Sequence, residues 1–264
     1  MSARDAVRPR SGDYLQTGDV RTYYEVHGTG DPLVLLHGGL CTVETFDGLT
    51  PLLAERFRVV VPERRGHGRT ADVAGPITYR VMAADTVALL DALGIAGAHL
   101  VGWSDGAVVA VHVALARPDL VRRMVLIGQP MNQDGLPPGA HEMLANIAEV
   151  LPPMLAELYG AVSPDGHEHF AVIVEKLAGE WRTEPSFTLE ELATIAAPCL
   201  VMLGDDDLIT VAHADALRRT IPGSQLAVVP GATHALPMEE PDLAARLTVD
   251  FLVAEGALPA AGVA

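Results

Sequence analysis

The chain has few cysteines and few basic residues for its length. Its 264 residues include two cysteines, Cys41 and Cys199, and 18 lysines and arginines against 34 aspartates and glutamates, a formal net charge of −16. Two cysteines make no disulfide framework of the kind that small secreted domains use, so we expect a reducing compartment. Because an acidic surface repels phosphate backbones, we expect no nucleic-acid partner.

The sequence also lacks a recognisable targeting or membrane segment. Residues 1–13 are polar and basic without an apolar centre, which is not typical of a signal peptide. No uninterrupted apolar run reaches the length of a membrane span. We therefore expect a cytoplasmic protein that does not bind membranes, whose 49% hydrophobic residues can form one large core or two small ones.

One stretch, His99–Val109, changes from strand to helix around a serine. An apolar run stops at Gly102, the residues Gly-Trp-Ser-Asp-Gly follow, and residues 107–116 are apolar and compatible with a helix. The pattern Gly-x-Ser-x-Gly is typical of a nucleophile elbow, in which glycines let strand and helix approach while the serine adopts a strained backbone. Ser104 is therefore the candidate nucleophile.

Strands and helices alternate on both sides of this stretch, after a predicted hairpin of residues 14–27. The predicted strands are Leu33–Leu36, Phe57–Val61, His99–Trp103, Val121–Ile127, Cys199–Leu203 and Leu226–Val229. The predicted helices are Thr42–Arg56, Tyr79–Leu93, Ala107–Ala116, Val211–Thr220 and Glu239–Ala254. Such alternation favours an α/β fold with a mostly parallel central sheet and helices on both faces.

The alternation fails between residues 129 and 197, where no clear strand is found. Helical patterns cover His141–Leu151, Met154–Tyr159 and His169–Glu180, and Thr188 with Glu191 forms a capping-box pattern. The segment is too long for a plain loop, so we interpret it as a helical cap. The predicted organisation is a disordered N-terminus at 1–12, a core at 13–130 and 189–255, a cap insertion at 131–188, and a frayed tail at 256–264.

The candidate catalytic groups follow strands of the predicted sheet in the order serine, aspartate, histidine. A serine hydroxyl needs a histidine base in hydrogen-bond reach, and a carboxylate must orient that imidazole. Because the carboxyl ends of parallel strands share one edge, Ser104, Asp207 and His234 are expected to meet there. Asp205 and Asp206 are interpreted as loop residues, and Asp134, after the preceding strand, remains an alternative acid.

Four motifs resemble those of the α/β-hydrolase superfamily, and the resemblance extends from residue 14 to residue 254. They are His37-Gly38-Gly39, similar to the oxyanion loop; Gly102 to Gly106, the elbow; Gly204-x-x-Asp207, the acid turn; and Gly231-x-x-His234, the base turn. The resemblance implies the α/β-hydrolase fold with a helical cap and a serine hydrolase that cleaves carboxylic esters through an acyl-enzyme. It implies no cofactor and no metal, and we expect a monomer or homodimer that acts on a small-molecule substrate.

Within the superfamily, a narrower resemblance points to one branch. Gly-Trp-Ser-Asp-Gly, Leu158-Tyr159-Gly160 and Glu175-Lys176 resemble the valacyclovirase (biphenyl-hydrolase-like) branch, which hydrolyses α-amino-acid esters. Ala107 departs from that branch, which usually has a second glycine there. Since alanine is also small, this difference bears on the assignment to the branch and not on the prediction of a tight turn at Ser104.

Asp105 has two interpretations. Its backbone N–H and that of Gly39 are the expected oxyanion donors, with Leu40 as the next choice. Its side chain either anchors a substrate ammonium group or complements the positive N-terminus of the following helix. Trp103 and Leu40 complete the predicted substrate-binding residues.

Other functions and roles stay open at this point. A hydrolase that cleaves a carbon–carbon bond in a diketone-like substrate, a lactonase and a cofactor-free perhydrolase would use the same triad. A ligand-binding protein on a degenerate hydrolase scaffold belongs to another class. Arg64 and Arg65 either bind an acidic substrate or brace a loop, and His37 and His67 are expected to bond to the backbone.

Overall fold

An eight-stranded sheet runs through the molecule in the computed structural model, which describes residues 11–136 and 139–254. The strands are β1 (Asp13–Thr17), β2 (Val20–His27), β3 (Asp31–Leu36), β4 (Phe57–Pro62), β5 (Ala98–Trp103), β6 (Val121–Ile127), β7 (Cys199–Asp206) and β8 (Gln225–Thr233). Their order is β1-β2-β4-β3-β5-β6-β7-β8. β2 pairs antiparallel with β1 and β4, and all other pairs are parallel. The predicted fold class is confirmed. Residues 1–10 of the predicted N-terminus and all of the predicted tail lie outside the described residues.

Eleven helices accompany the strands in the described residues. They are α1 (Thr50–Ala54), α2 (Tyr79–Ala92), α3 (Asp105–Ala116), α4 (Ala140–Ala145), α5 (Ile147–Val150), α6 (Pro153–Val162), α7 (Phe170–Trp181), α8 (Leu189–Ala193), α9 (Val211–Thr220), α10 (Leu236–Glu239) and α11 (Pro241–Val253). Among them, none has the combination of length and apolar composition needed to cross a bilayer.

Alternating side chains of the central strands pack into two separate apolar layers. Leu33 and Leu35 face the layer covered by α1 and α11, whereas Val34 and Leu36 face the layer covered by α2 and α3. Successive strand residues point to opposite faces, so a strand buried on both faces reads as a continuous apolar run. This explains why the short apolar runs of the sequence predicted the parallel strands.

One predicted helix is wrong in extent and another begins later than predicted, because the chain is interrupted by glycine or proline. Residues 42–56 form only a 3₁₀ turn, Val43–Phe46, and the short α1, with Gly48 between them and Pro51 at the start of α1. The predicted closing helix is found as α11, which begins at Pro241 and not at Glu239, because Pro241 has no N–H to continue α10.

Five helices, α4 to α8, lie between β6 and β7, and the first four of them fall in the segment interpreted as a cap. The predicted helix His141–Leu151 is divided into α4 and α5 around Asn146. The capping box of α8 is confirmed, since Thr188 Oγ1 accepts the N–H of Glu191 while the Glu191 carboxylate accepts the N–H of Thr188. The Lys176 ammonium lies 2.6 Å from Asp72 Oδ2 and so links α7 to the loop between β4 and α2.

Candidate active site

Ser104 stands at a turn between β5 and α3 that only small residues permit. Its φ of 54° is in a region that non-glycine residues rarely adopt. A Cβ on Gly102 would overlap the carbonyl of Gly106, and one on Gly106 would overlap the carbonyl of Leu36. The strained backbone conformation is stabilised in part by a hydrogen bond from the Ser104 N–H to Ile127 O at 2.8 Å. The two glycines of the elbow pattern are therefore required by the approach of strand and helix.

The three predicted catalytic side chains lie in one hydrogen-bonded row. His234 Nε2 is 3.0 Å from Ser104 Oγ, and His234 Nδ1 is 2.7 Å from Asp207 Oδ1. The Asp207 side chain is fully buried, and its Oδ1 also accepts the N–H of Ile209 at 3.0 Å. These partners assign the Nδ1 proton of His234 to the Asp207 side, which leaves Nε2 free to accept a proton from Ser104.

The other candidate acids do not contact His234 in the described residues. Asp205 is exposed and accepts the N–H of Gly231 at 2.7 Å, and Asp206 is exposed. Asp134 is exposed on the loop after β6. Its charge acts to raise the pKa of His213, which burial lowers by more. Of the four aspartates considered from the sequence, Asp207 alone is within hydrogen-bond distance of the imidazole.

Trp103 holds the backbone of His234. The indole N–H donates to the His234 carbonyl oxygen at 2.7 Å, and the two ring centroids are 5.6 Å apart. Trp103 also lines the cavity above Ser104. The sequence predicted a substrate contact here but not the hydrogen bond, because no local signal links residues on different strands.

The loop after β3 passes beside the candidate nucleophile. A Cβ built on Gly38 would lie 3.4 Å from Ser104 Cβ, which is van der Waals contact. Gly39, Leu40 and Asp105 line the same cavity, and Leu40 has a φ of 57°. The N–H groups of Gly39 and Asp105 donate no hydrogen bond to any described residue, so both remain available as donors.

His37 and Arg64 lie behind this loop and hold its carbonyl groups. His37 Nδ1 donates to Gly38 O at 2.7 Å, and its Nε2 accepts the backbone N–H of Arg64 at 3.2 Å. The Arg64 guanidinium donates to both His37 O and Gly38 O. Burial and the charge of Arg64 keep the pKa of His37 well below its usual value, so this imidazole stays neutral. Of the two sequence interpretations of Arg64, these contacts fit loop bracing.

The Asp105 carboxylate is held by side chains from the core and the cap. The Tyr79 hydroxyl donates to Oδ1 at 2.7 Å, and the Trp181 indole N–H lies 3.0 Å from Oδ2 and 3.1 Å from Oδ1. Burial, followed by the Asp105 charge, keeps the pKa of Tyr79 well above its usual value. No described N–H of α3 donates to the carboxylate, so it does not act as a cap of its own helix.

A cavity of about 280 Å³ opens above Ser104 between core and cap. Its apolar wall comes mainly from the cap and the loop after β7 and includes Leu136, Met143, Ile147, Leu151, Leu155 and Leu208. Among the described lining residues the carboxylates are Asp105 and Glu184, and none is lysine or arginine. Cys41 also lines it, but burial raises the pKa of that thiol to about 11, so it is no competing nucleophile at neutral pH. The described residues contain no group of three or more His, Cys, Asp or Glu able to hold a metal ion.

Comparisons with known proteins identify hydrolases of the same fold. The human serine hydrolase BPHL is 29% identical over 248 residues, 88% of this chain and 83% of the relative. The 2-hydroxy-6-oxononadienedioate/2-hydroxy-6-oxononatrienedioate hydrolase 2 of Pseudomonas putida is 31% identical over 268 residues, 89% of this chain and 92% of the relative. A solved structure of a meta-cleavage product hydrolase from Pseudomonas fluorescens IP01 superposes with a TM-score of 0.78 at 23% identity, over 91% of this chain and 97% of that one.

The similarity to the human serine hydrolase supports the resemblance of the motifs to the biphenyl-hydrolase-like branch. Residues 33–247, which include every candidate catalytic residue, match the Alpha/beta hydrolase family. The chain therefore belongs to the α/β-hydrolase family and is a hydrolase.

Proposed function

We propose that this protein is a serine hydrolase that cleaves carboxylic esters through an acyl-enzyme. The observation that carries the proposal is the row of hydrogen bonds from Ser104 through His234 to Asp207, on the floor of a cavity. The fully buried carboxylate of Asp207 orients the imidazole and stabilises its cation, and a strained elbow presents the hydroxyl.

The geometry supports a two-step reaction. His234 Nε2 takes the proton of Ser104 as Oγ attacks the ester carbonyl, and the negative charge then forms on the carbonyl oxygen. The N–H groups of Gly39 and Asp105 stabilise this oxyanion. The imidazolium gives its proton to the leaving alcohol, and a water activated by His234 then releases the acid and restores Ser104.

Replacement of the nucleophile tests this proposal. We expect Ser104→Ala to lower hydrolysis of p-nitrophenyl acetate by on the order of 10⁴- to 10⁶-fold, as truncation of a triad nucleophile does. Labelling by a fluorophosphonate should disappear in the same variant. A wild-type protein that neither hydrolyses esters nor accepts the label would instead favour a ligand-binding function on a hydrolase scaffold.

For the substrate class, we propose an ester with an ammonium group next to its carbonyl. Since the backbone N–H of Asp105 faces the oxyanion, its side chain lies within a few ångströms of the reacting carbon. Asp105 lines the cavity, and no described N–H of α3 donates to its carboxylate. Two carboxylates and no described basic side chain line the cavity, which favours a cation over an anion. A dioate, as in the name of the Pseudomonas putida relative, would carry two negative charges into this cavity.

A pair of esters tests the ammonium proposal. A hydrogen bond to a charged partner contributes roughly 1.5–3 kcal/mol, or about 10- to 150-fold in kcat/KM. We expect wild type to prefer phenylalanine p-nitrophenyl ester over its desamino analogue by this factor, and Asp105→Asn to lose the preference. A preference that survives in Asp105→Asn would contradict the role of the carboxylate, and faster turnover of a diketone acid than of either ester would favour carbon–carbon cleavage.

A further inference from the structure

A buried guanidinium supports the loop that carries one of the two proposed oxyanion donors. Arg64 is 3% exposed, although it is charged at any physiological pH. Its Nη2 donates to Gly38 O at 3.0 Å, its Nη1 donates to His37 O, and its backbone N–H binds the ring of His37. All these contacts are to one short stretch of loop, so the side chain is built into that loop and does not line the cavity.

The contacts are made to the peptide group that joins two residues of the cavity lining, Gly38 and Gly39. Gly38 O belongs to the same peptide unit as the N–H of Gly39, and in a trans peptide the two groups point in opposite directions. Gly38 O accepts from both His37 Nδ1 and Arg64 Nη2, on the side away from the cavity. With its carbonyl fixed in this way, the peptide cannot rotate without breaking two hydrogen bonds, and its N–H stays directed at the cavity. A cationic donor on the carbonyl also polarises the peptide and makes its N–H a stronger donor.

The positive charge of Arg64 also offsets the negative charge of the Asp105 carboxylate, which lies beside the same loop. A Cβ on Gly39 would lie 2.5 Å from Asp105 Oδ2, so a carboxylate lies directly beside the loop. A negative charge there opposes formation of an oxyanion. Burial lowers the pKa of Arg64, and the charge of the nearby Asp105 acts in the opposite direction. Arg64 therefore supplies positive charge on the far side of the same peptide.

We propose that Arg64 is a positioning residue, which fixes and polarises the Gly38–Gly39 peptide so that its N–H stabilises the oxyanion. The inference rests on the proposed function, because an oxyanion forms only if Ser104 attacks a carbonyl. It predicts that loss of the guanidinium slows the chemical step without weakening substrate binding.

The test compares two p-nitrophenyl esters that differ only in the atom that becomes negative. p-Nitrophenyl acetate develops charge on oxygen and its thiono analogue on sulfur, which accepts hydrogen bonds weakly. Since removal of one oxyanion donor costs about 10²- to 10³-fold in kcat, we expect Arg64→Lys to lower kcat for the oxygen ester by roughly 10²-fold. KM should change by less than about threefold, and the oxygen-to-thiono ratio of kcat/KM should fall by about tenfold or more.

Arg123→Lys is the matched control. Arg123 is also buried and also donates to two backbone carbonyls, Phe251 O and Ala254 O, at 2.8 and 2.9 Å. Because those carbonyls belong to α11 and the residue after it, this variant should keep the wild-type oxygen-to-thiono ratio. If Arg64→Lys fails to fold, His37→Gln, which removes the imidazole donor to Gly38 O and the imidazole acceptor of the Arg64 backbone N–H, should shift the ratio in the same direction by a smaller factor.

A failure of the proposed role of Arg64 can be distinguished from a failure of the proposed function. Equal losses for both esters in Arg64→Lys, together with an inactive Ser104→Ala, would overturn the role of Arg64 and leave the proposed function intact. Full activity in Ser104→Ala would overturn the proposed function itself. Rates of the wild type and of the Arg64, His37 and Arg123 variants are to be normalised to the fraction of enzyme that a fluorophosphonate titrates, so that partial unfolding does not imitate the effect.

Discussion

Removal of the Asp207 carboxylate gives the sharpest test of the candidate site. In Asp207→Ala, the Nδ1 proton of His234 loses its acceptor at 2.7 Å, and the imidazolium loses a buried counter-charge. Truncation of the orienting acid in a comparable triad costs on the order of 10⁴-fold in kcat, or about 5 kcal/mol. We expect a loss of that size here, because none of the other candidate acids lies within hydrogen-bond distance of the imidazole.

Asp207→Asn separates the charge of this group from its geometry. Because Ile209 N–H and His234 Nδ1 both donate to Oδ1, the carbonyl oxygen of an asparagine is favoured at that position, and the amide N–H₂ is not. The histidine then keeps its tautomer, and only the charge is lost. Two charges about 4 Å apart at an effective dielectric of about 20 interact by about 4 kcal/mol, so the expected loss is at most roughly 10³-fold.

The assay is the rate of p-nitrophenol release from p-nitrophenyl acetate, normalised to folded enzyme. Asp205→Ala and Asp134→Ala are the controls, and we expect both to retain activity, since neither residue contacts His234. A loss below about tenfold in Asp207→Ala would place the acid elsewhere. A larger loss in Asp207→Asn than in Asp207→Ala would show that the amide inverts the tautomer and that Ile209 does not fix its orientation.

Two further predictions concern groups that support the site. Trp103→Phe removes the indole N–H that donates to His234 O at 2.7 Å but keeps an aromatic ring. We expect kcat to fall by about 3- to 30-fold with little change in KM. An unchanged kcat would show that this hydrogen bond is dispensable. Burial acts to raise the pKa of Asp72, but hydrogen bonds from Lys176 and His169 outweigh it and lower the pKa. The stability from this group is therefore present above its usual pKa and is lost as pH falls through the lowered value. Asp72→Asn should lower Tm at pH 7 by more than at pH 3, and an equal loss at both would exclude the ion pair as the cause.

The residues that the sequence predicted best are those with a local reason for their identity. Gly102 and Gly106 are required because strand and helix would collide at any larger residue, and this requirement leaves a five-residue pattern. Asp207 and His234 follow strands whose apolar runs are readable. Parallel pairing then brings the ends of these strands to one edge of the sheet, so the order along the chain was sufficient to predict three side chains that the structure brings together.

The contacts that the sequence did not predict join residues far apart in the chain. Trp103 bonds to a residue 131 positions away, and Trp181 bonds to Asp105 across 76 positions. Neither contact leaves a pattern, because a tryptophan that donates a hydrogen bond cannot be distinguished in sequence from one that only packs. The helix ends were missed for a different reason: apolar periodicity continues across Gly48 and Pro241, although the backbone does not.

Asp105 takes part in one of these unpredicted contacts, and its surroundings bear on which substrates the proposed site can serve. Its backbone N–H is proposed to stabilise an oxyanion, while its carboxylate, a few ångströms away, opposes the same charge. Tyr79 and Trp181 contribute two neutral donors, and Arg64 contributes one cation behind the loop. A substrate ammonium would add a second cation on the cavity side, where the described lining has none. With a neutral ester, the carboxylate costs transition-state stabilisation; with an α-amino ester, it binds the substrate and its charge is neutralised. Under the proposed function, the same residue would therefore favour α-amino esters in binding and in the chemical step.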